Sequence, residues 1–169
     1  LQMCTLLQHG GPDDEGLYSS VSDKIVLGNR RLALFDLSSA GHQPMQYENR
    51  YWITYNGEIY NFHEIRDELS ALGHRFITHT DTEVILAAYS RWGVQSFTKL
   101  KGMFAFAIWD TIEKELVLVR DPAGIKPLYY SREEQGIAFA SEIRALEIIP
   151  ALKEQNDKWP VYLMAYGHI

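Results

Sequence analysis

The stretch MFAFAIWD, residues 103–110, carries apolar side chains on both of its alternating faces. A strand with that pattern is buried on both sides, as inside a layered protein, rather than half-solvated. ELVLVR (115–120) follows across a short polar turn, Thr111 to Lys114, and is expected to pair with it. PLYYS (127–131) and GIAFAS (136–141) read as a second hairpin. Ser141 is then expected to cap a helix over EIRAL (142–146).

Working back from the same strand, two helices are the clearest features. Asn61, with Glu64 three residues on, reads as an N-cap. Phe62, Ile65, Leu69 and Leu72 form one helical face, and Gly73 stops it. Thr80-Asp81-Thr82-Glu83 is a capping-box pattern, followed by the apolar positions Val84, Ile85, Ala88, Tyr89 and Trp92 and ended by Gly93. A shorter helix is expected over Val94 to Leu100. Further upstream, KIVLGNRRLALFDL (24–37) has two apolar runs around Gly28-Asn29 and predicts two strands or one bulged strand. YWITY (51–55) predicts a strand leading into Asn56-Gly57, a strong two-residue hairpin signal. HGGPDDEG (9–16) and SSAGHQPM (38–45) read as loops. Leu1 to Gln8 reads as the end of a helix.

Strands, then helices, then strands predict an α+β protein of two packed sheets covered by helices. Residues 1–149 read as one domain. Residues 150–169 start polar and finish apolar, which predicts a linker and helix heading toward a further domain. The chain has 169 residues, 46% of them hydrophobic and 22% charged, which suits a globular domain with a real core. Its net charge of −6 and its lack of a Lys/Arg run argue against a nucleic-acid surface. No apolar stretch reaches membrane-spanning length and no secretory signal is visible, which predicts a cytoplasmic protein with no membrane partner. The single cysteine, Cys4, rules out an internal disulfide framework. The six histidines (9, 42, 63, 74, 79, 168) are scattered and predict no metal site.

The motifs GPDDEG, RRLALFDLSSAGHQPM, YNGEIYNF, DTEVIL, LKGMFAFAIWD, RDPAGIKPLYY and FASEIRAL form an ordered set. It resembles the glutaminase domain of glutamine-hydrolysing asparagine synthetase, a class II glutamine amidotransferase of the N-terminal-nucleophile (Ntn-hydrolase) type. The resemblance runs from about His9 to Leu146. It implies a four-layer α/β/β/α sandwich of two antiparallel sheets. It also implies that L-glutamine loses its side-chain amide as ammonia, which passes to an ATP- and Mg²⁺-using synthetase domain that makes asparagine from aspartate. No cofactor is implied for the amide hydrolysis itself, and the family admits a homodimer. The same half of another class II amidotransferase, or a non-catalytic glutamine-binding scaffold, are the alternatives.

Free glutamine offers a carboxylate, an ammonium and an amide. By resemblance, Arg31 takes the carboxylate, and its planar guanidinium suits two-pronged contact. Arg30 reads as its solvated neighbour. Leu34 and Phe35 would line the same pocket, although as bare sequence they are core residues. Asp81 would take the ammonium, with Glu58 nearby; on sequence alone these are a helix-capping carboxylate and a turn carboxylate. Asn56 and Gly57 would form the oxyanion hole, the glycine letting its N–H approach the ligand and the side-chain amide adding a second donor.

The family nucleophile is a cysteine at the mature N-terminus whose own α-amine is the base. Cys4 has three residues before it and lies five residues before His9, so it reads as a buried helix residue instead. The first strand with its nucleophile is therefore expected to be missing from this sequence. An unrecorded N-terminus, a shortened chain and an inactive homologue are each compatible with that. Gly10 also stands where the family pattern has arginine.

Overall fold

The computed structural model describes residues 2–32, 41–133 and 136–149. Helix α1 (Gln2–Leu6) is followed by a 3₁₀ turn at Gln8–Gly10. Strands β1 (Asp14–Ser20) and β2 (Ile25–Arg31) form an antiparallel hairpin. Strands β3 (Met45–Tyr47), β4 (Tyr51–Ile59), β5 (Gly102–Asp110) and β6 (Glu115–Arg120) form a four-stranded antiparallel sheet in that order. Helices α2 (Phe62–Ala71) and α3 (Asp81–Trp92) connect β4 to β5. Strands β7 (Tyr129–Glu133) and β8 (Gly136–Ala140) make another antiparallel hairpin, and the short helix α4 (Ile143–Leu146) follows.

The fold is an α/β/β/α sandwich, and β5 shows why. Phe104, Phe106 and Ile108 face α2 and α3, where they pack with Ile53, Tyr55, Ile65, Leu69, Val84 and Ile85 in the main core. Ala105, Ala107 and Trp109 face the other way and are also buried. The four-stranded sheet therefore has helices on one face and the β1–β2 and β7–β8 hairpins on the other. Tyr18 of β1 stacks on Trp52 of β4 with ring centroids 4.0 Å apart. Helices α1 and α4 close the outside, against β2 and β8. The small satellite core of Ala140, Ala145 and Leu146, with Met3 and Leu7 against it, joins them.

Several local expectations are corrected. Asn56-Gly57 does not turn the chain: β4 runs straight through to Ile59, with Asn56 opposite Ala105 and Gly57 opposite Phe104. Pairing with the long strand β5 overrides the local turn preference. Part of the loop expected over 9–16 is strand, because Asp14 and Glu15 pair with Arg31 and Arg30. Asn61 makes no side-chain cap. Its amide instead clamps the chain entering β5, donating to the Lys99 carbonyl (3.0 Å) and accepting from the Lys101 amide (2.8 Å). Thr80 does cap α3, accepting the Glu83 amide, but the reciprocal half of the box is absent. The buried Glu83 carboxylate accepts the Ile77 and Thr78 amides (2.8 and 2.6 Å) and fixes the loop before the helix. Glu142, not Ser141, occupies the cap position of α4, and Gly93–Lys99 is a 3₁₀ helix.

Candidate functional site

A cavity of about 1160 Å³ lies between the four-stranded sheet and the two hairpins. Its lining includes Arg31, Asn56, Gly57, Glu58 and Asp81, so five of the seven residues expected to bind glutamine line the same cavity. Leu34 and Phe35 lie outside the described residues.

Three elements position these groups. On β2, Asn29 and Arg31 share the face turned toward β4. Asn29 Nδ2 donates to Thr54 Oγ1 (3.1 Å) and to Gln43 Oε1 (3.3 Å), and Thr54 Oγ1 donates to the Gly28 carbonyl (3.0 Å). These bonds fix the height of β2 above β4. Arg31, two residues on, packs its guanidinium against Gly41, where a Cβ would collide with the arginine nitrogens. Asp14, opposite Arg31 in the hairpin, is bound by His42 Nδ1 at 2.8 Å. Burial pushes the Asp14 carboxyl up, but the His42 hydrogen bond and charge, the Glu15 amide and Arg31 outweigh it and hold the carboxyl below its ordinary value.

The second element is β4. Strand alternation sends Thr54, Asn56 and Glu58 toward the cavity side and Ile53 and Tyr55 toward the helices. The backbone amides alternate too. Tyr55, Gly57 and Ile59 direct their N–H groups to the edge beyond β3. Gln43 Oε1 accepts the Tyr55 amide at 2.7 Å, and Asp81 Oδ2 accepts the Ile59 amide at 3.0 Å. Between these two side-chain-capped amides stands Gly57, with its N–H on the same edge and its residue lining the cavity. Its φ of +155° favours glycine, and a Cβ here would collide with the Met103 carbonyl oxygen.

The third element is the N-terminus of α3. Asp81 is its first residue, and Asp81 Oδ2 also accepts the Tyr55 hydroxyl at 2.7 Å. Burial, then the neighbouring Asp81 carboxylate, drives the Tyr55 hydroxyl far above the usual phenol range, so it remains a donor. The positive end of the helix dipole favours a carboxylate at this position.

Two further expectations meet the structure differently. Cys4 is buried in α1 as expected, against the Gly28 backbone of β2. Burial raises its thiol pKa above the ordinary value, which is the wrong direction for a nucleophile. Arg30 is not a solvated neighbour: its side chain is only 9% exposed and pairs with Glu15 under α1. The pattern RR alternates across β2, one arginine to each face. Sequence reasoning missed the roles of Gln43, Asn29 and Tyr55. Gln43 lies in the motif ending GHQPM and Tyr55 opens YNGEIYNF, but neither residue is given a role of its own by the sequence reading. The signal available was a polar side chain directly before or within an otherwise apolar pattern. Among the described residues, no group of three or more His, Cys, Asp and Glu could hold a metal ion, and no helix is long and apolar enough to cross a membrane.

A layered sandwich thus gathers a carboxylate, an arginine and a strand edge capped by side chains around one cavity. Residues 1–168 match the glutamine amidotransferase domain family, and this chain belongs to it. It is 45% identical over 157 residues to asparagine synthetase [glutamine-hydrolyzing] 1 of Bacillus subtilis, covering 92% of this chain and 24% of that protein. It is 39% identical over 148 residues to asparagine synthetase B [glutamine-hydrolyzing] of Escherichia coli, covering 86% of this chain and 26% of that one. The chain thus spans about a quarter of these relatives' length. In fold it resembles the glutamine phosphoribosylpyrophosphate amidotransferase of B. subtilis solved with ADP and GMP. That match has a TM-score of 0.62 and 26% identity over 74% of this chain and 29% of that one.

Proposed function

We propose that this domain hydrolyses the side-chain amide of L-glutamine to glutamate and ammonia. The observation that carries the reading is the convergence of Arg31, Asp81 and the Asn56-Gly57 segment on one cavity. Arg31 would hold the α-carboxylate by a bidentate contact. Asp81 would hold the α-ammonium through Oδ1, since Oδ2 is already occupied by Tyr55 and Ile59. Glu58 would add a second negative charge beside it.

The amide carbon then faces the Gly57 N–H and the Asn56 side chain. A thiolate attacks that carbon, a C–S bond forms, and the carbonyl oxygen becomes an oxyanion held by these two donors. The C–N bond breaks, and the proton taken from the thiol goes to the leaving nitrogen, releasing ammonia. Water hydrolyses the thioester to glutamate. Cys4 cannot supply this thiol, because it is buried in a helix, its pKa is raised and its residue bears no free amine. The reading assigns the nucleophile to a cysteine at the mature N-terminus of the full-length protein, with its own α-amine as base.

The relatives' names support delivery of the ammonia to asparagine synthesis. By family resemblance alone, an ATP- and Mg²⁺-dependent domain would convert aspartate to asparagine with it, in a cytoplasmic protein that would pair as a homodimer. Residues 1–149 would be the glutaminase domain; residues 150–169, expected to lead to that partner domain, lie outside the described residues. The test is ammonia release from L-glutamine by the full-length protein, with the nucleophilic cysteine replaced as the control. Stoichiometric glutamate and ammonia support the reading, and no ammonia above the control removes it.

A further inference from the structure

We infer that Gln43 is a positioning residue for the oxyanion hole, an inference that rests on the glutamine-hydrolysis reading above. Strand β3 pairs with β4 only from Met45 opposite Ile53 to Tyr47 opposite Tyr51. Extending that register by two residues places position 43 opposite Tyr55. The backbone pairing has stopped there, and the Gln43 side chain takes over. Its Oε1 accepts the Tyr55 amide at 2.7 Å, as a strand carbonyl would. The residue is only 8% exposed, so the bond is shielded from water. Two residues further along the same edge is the Gly57 amide, and two beyond that is the Ile59 amide, held by Asp81. The edge is thus pinned on both sides of Gly57 by side chains instead of by a strand. A true third strand residue would occupy the Gly57 donor. A side-chain acceptor satisfies Tyr55 alone and leaves the next donor for the substrate oxygen.

The same Oε1 also accepts Asn29 Nδ2 at 3.3 Å, and Asn29 reaches the Tyr55 carbonyl at 3.4 Å. Gln43 therefore joins the strand that carries Arg31 to the strand that carries Gly57. Its own backbone is tightly seated: a Cβ at Gly16 of β1 would collide with the Gln43 carbonyl oxygen. Its two jobs separate chemically. The bond to Tyr55 governs where the oxyanion donor lies, and the bond to Asn29 governs how far Arg31 stands from it.

The experiment measures glutamine hydrolysis by the full-length protein in three variants. Gln43→Met keeps the volume and removes the acceptor of both donors; kcat should fall about tenfold or more, part of the cost of deleting an oxyanion donor outright, and KM should rise severalfold because the Asn29 bond is lost with it. Gln43→Glu keeps an acceptor for both donors and should recover most of that loss. Asn29→Ala leaves the Tyr55 bond intact and should raise KM severalfold with kcat within threefold. If Gln43→Met does not fold, the other two decide. Low kcat in Gln43→Glu, or a kcat defect equal to the KM defect in Asn29→Ala, overturns the inference. So does a Gln43→Met enzyme whose only change is in KM. An inactive wild-type protein instead overturns the underlying reading, which keeps the two failures apart.

Discussion

The Tyr55 hydroxyl donates to Asp81 Oδ2 at 2.7 Å while that same oxygen accepts the Ile59 amide at 3.0 Å. One carboxylate oxygen is thereby committed to the protein and the other is left for a ligand. Tyr55→Phe should lower stability by about 1–2 kcal/mol, the range for a hydrogen bond to a charged group offset by easier burial of the ring. Urea denaturation of the two proteins measures it. KM for glutamine should rise with kcat little changed, because Asp81 loses one of the two bonds that fix its rotamer.

Asp81→Asn keeps the shape and removes the charge. An ammonium that loses an ionic hydrogen bond forfeits about 1.5–3 kcal/mol, so KM should rise about 10- to 150-fold. Steady-state kinetics on the full-length protein read it directly. A KM unchanged within twofold would show that the ammonium sits elsewhere.

Much of this was legible in the chain, and the misses have a common cause. The buried strand 103–110, the helix faces over 62–72 and 81–92 and the hairpin 115–120 follow from apolar spacing, which packing reinforces. Asn56-Gly57 was misread because a two-residue signal competes with a nine-residue pairing to β5, and the pairing wins. Asn61 and Glu83 carry capping chemistry but spend it on neighbouring loops, which no local pattern encodes. Among the site residues, Arg31, Asp81 and Asn56-Gly57 could be marked through their motifs. Gln43 and Tyr55 lie in those motifs too, but their role is not legible there, because it exists only where β3 ends and β4 continues.

Gly57 tolerates no side chain. Its φ of +155° strains any L-residue, and a Cβ would drive into the Met103 carbonyl. Gly57→Ala should cost about 2 kcal/mol or more and abolish hydrolysis, since β4 must shift from β5 to relieve the clash. Thermal melts and ammonia assays test both parts. A fully stable, active Gly57→Ala protein contradicts the described backbone.

Acid should weaken the fold through two carboxylates. Burial raises the carboxyl of Asp110, but Arg50 binding through Nε (2.9 Å) and the Ile112 and Glu113 amides outweigh it and hold the value low. Asp121 is likewise held low, burial being outweighed by the Lys126, Ile125 and Phe104 amides. A group whose folded pKa is depressed contributes stability above its unfolded value, near 3.9, and loses it as pH falls through the folded value. The urea midpoint should be flat from about pH 5 to 7 and drop below about pH 4. Asp110→Asn should be less stable at neutral pH and show a shallower acid fall.

The most direct test is calorimetric titration of L-glutamine into full-length protein whose nucleophilic cysteine has been replaced, alongside the same protein bearing Arg31→Ala or Asp81→Asn. One site per chain is expected, weakened at least tenfold by each change. Binding of glutamine that survives both substitutions undiminished contradicts the account, because the two ends of the amino-acid head would then be held by other groups.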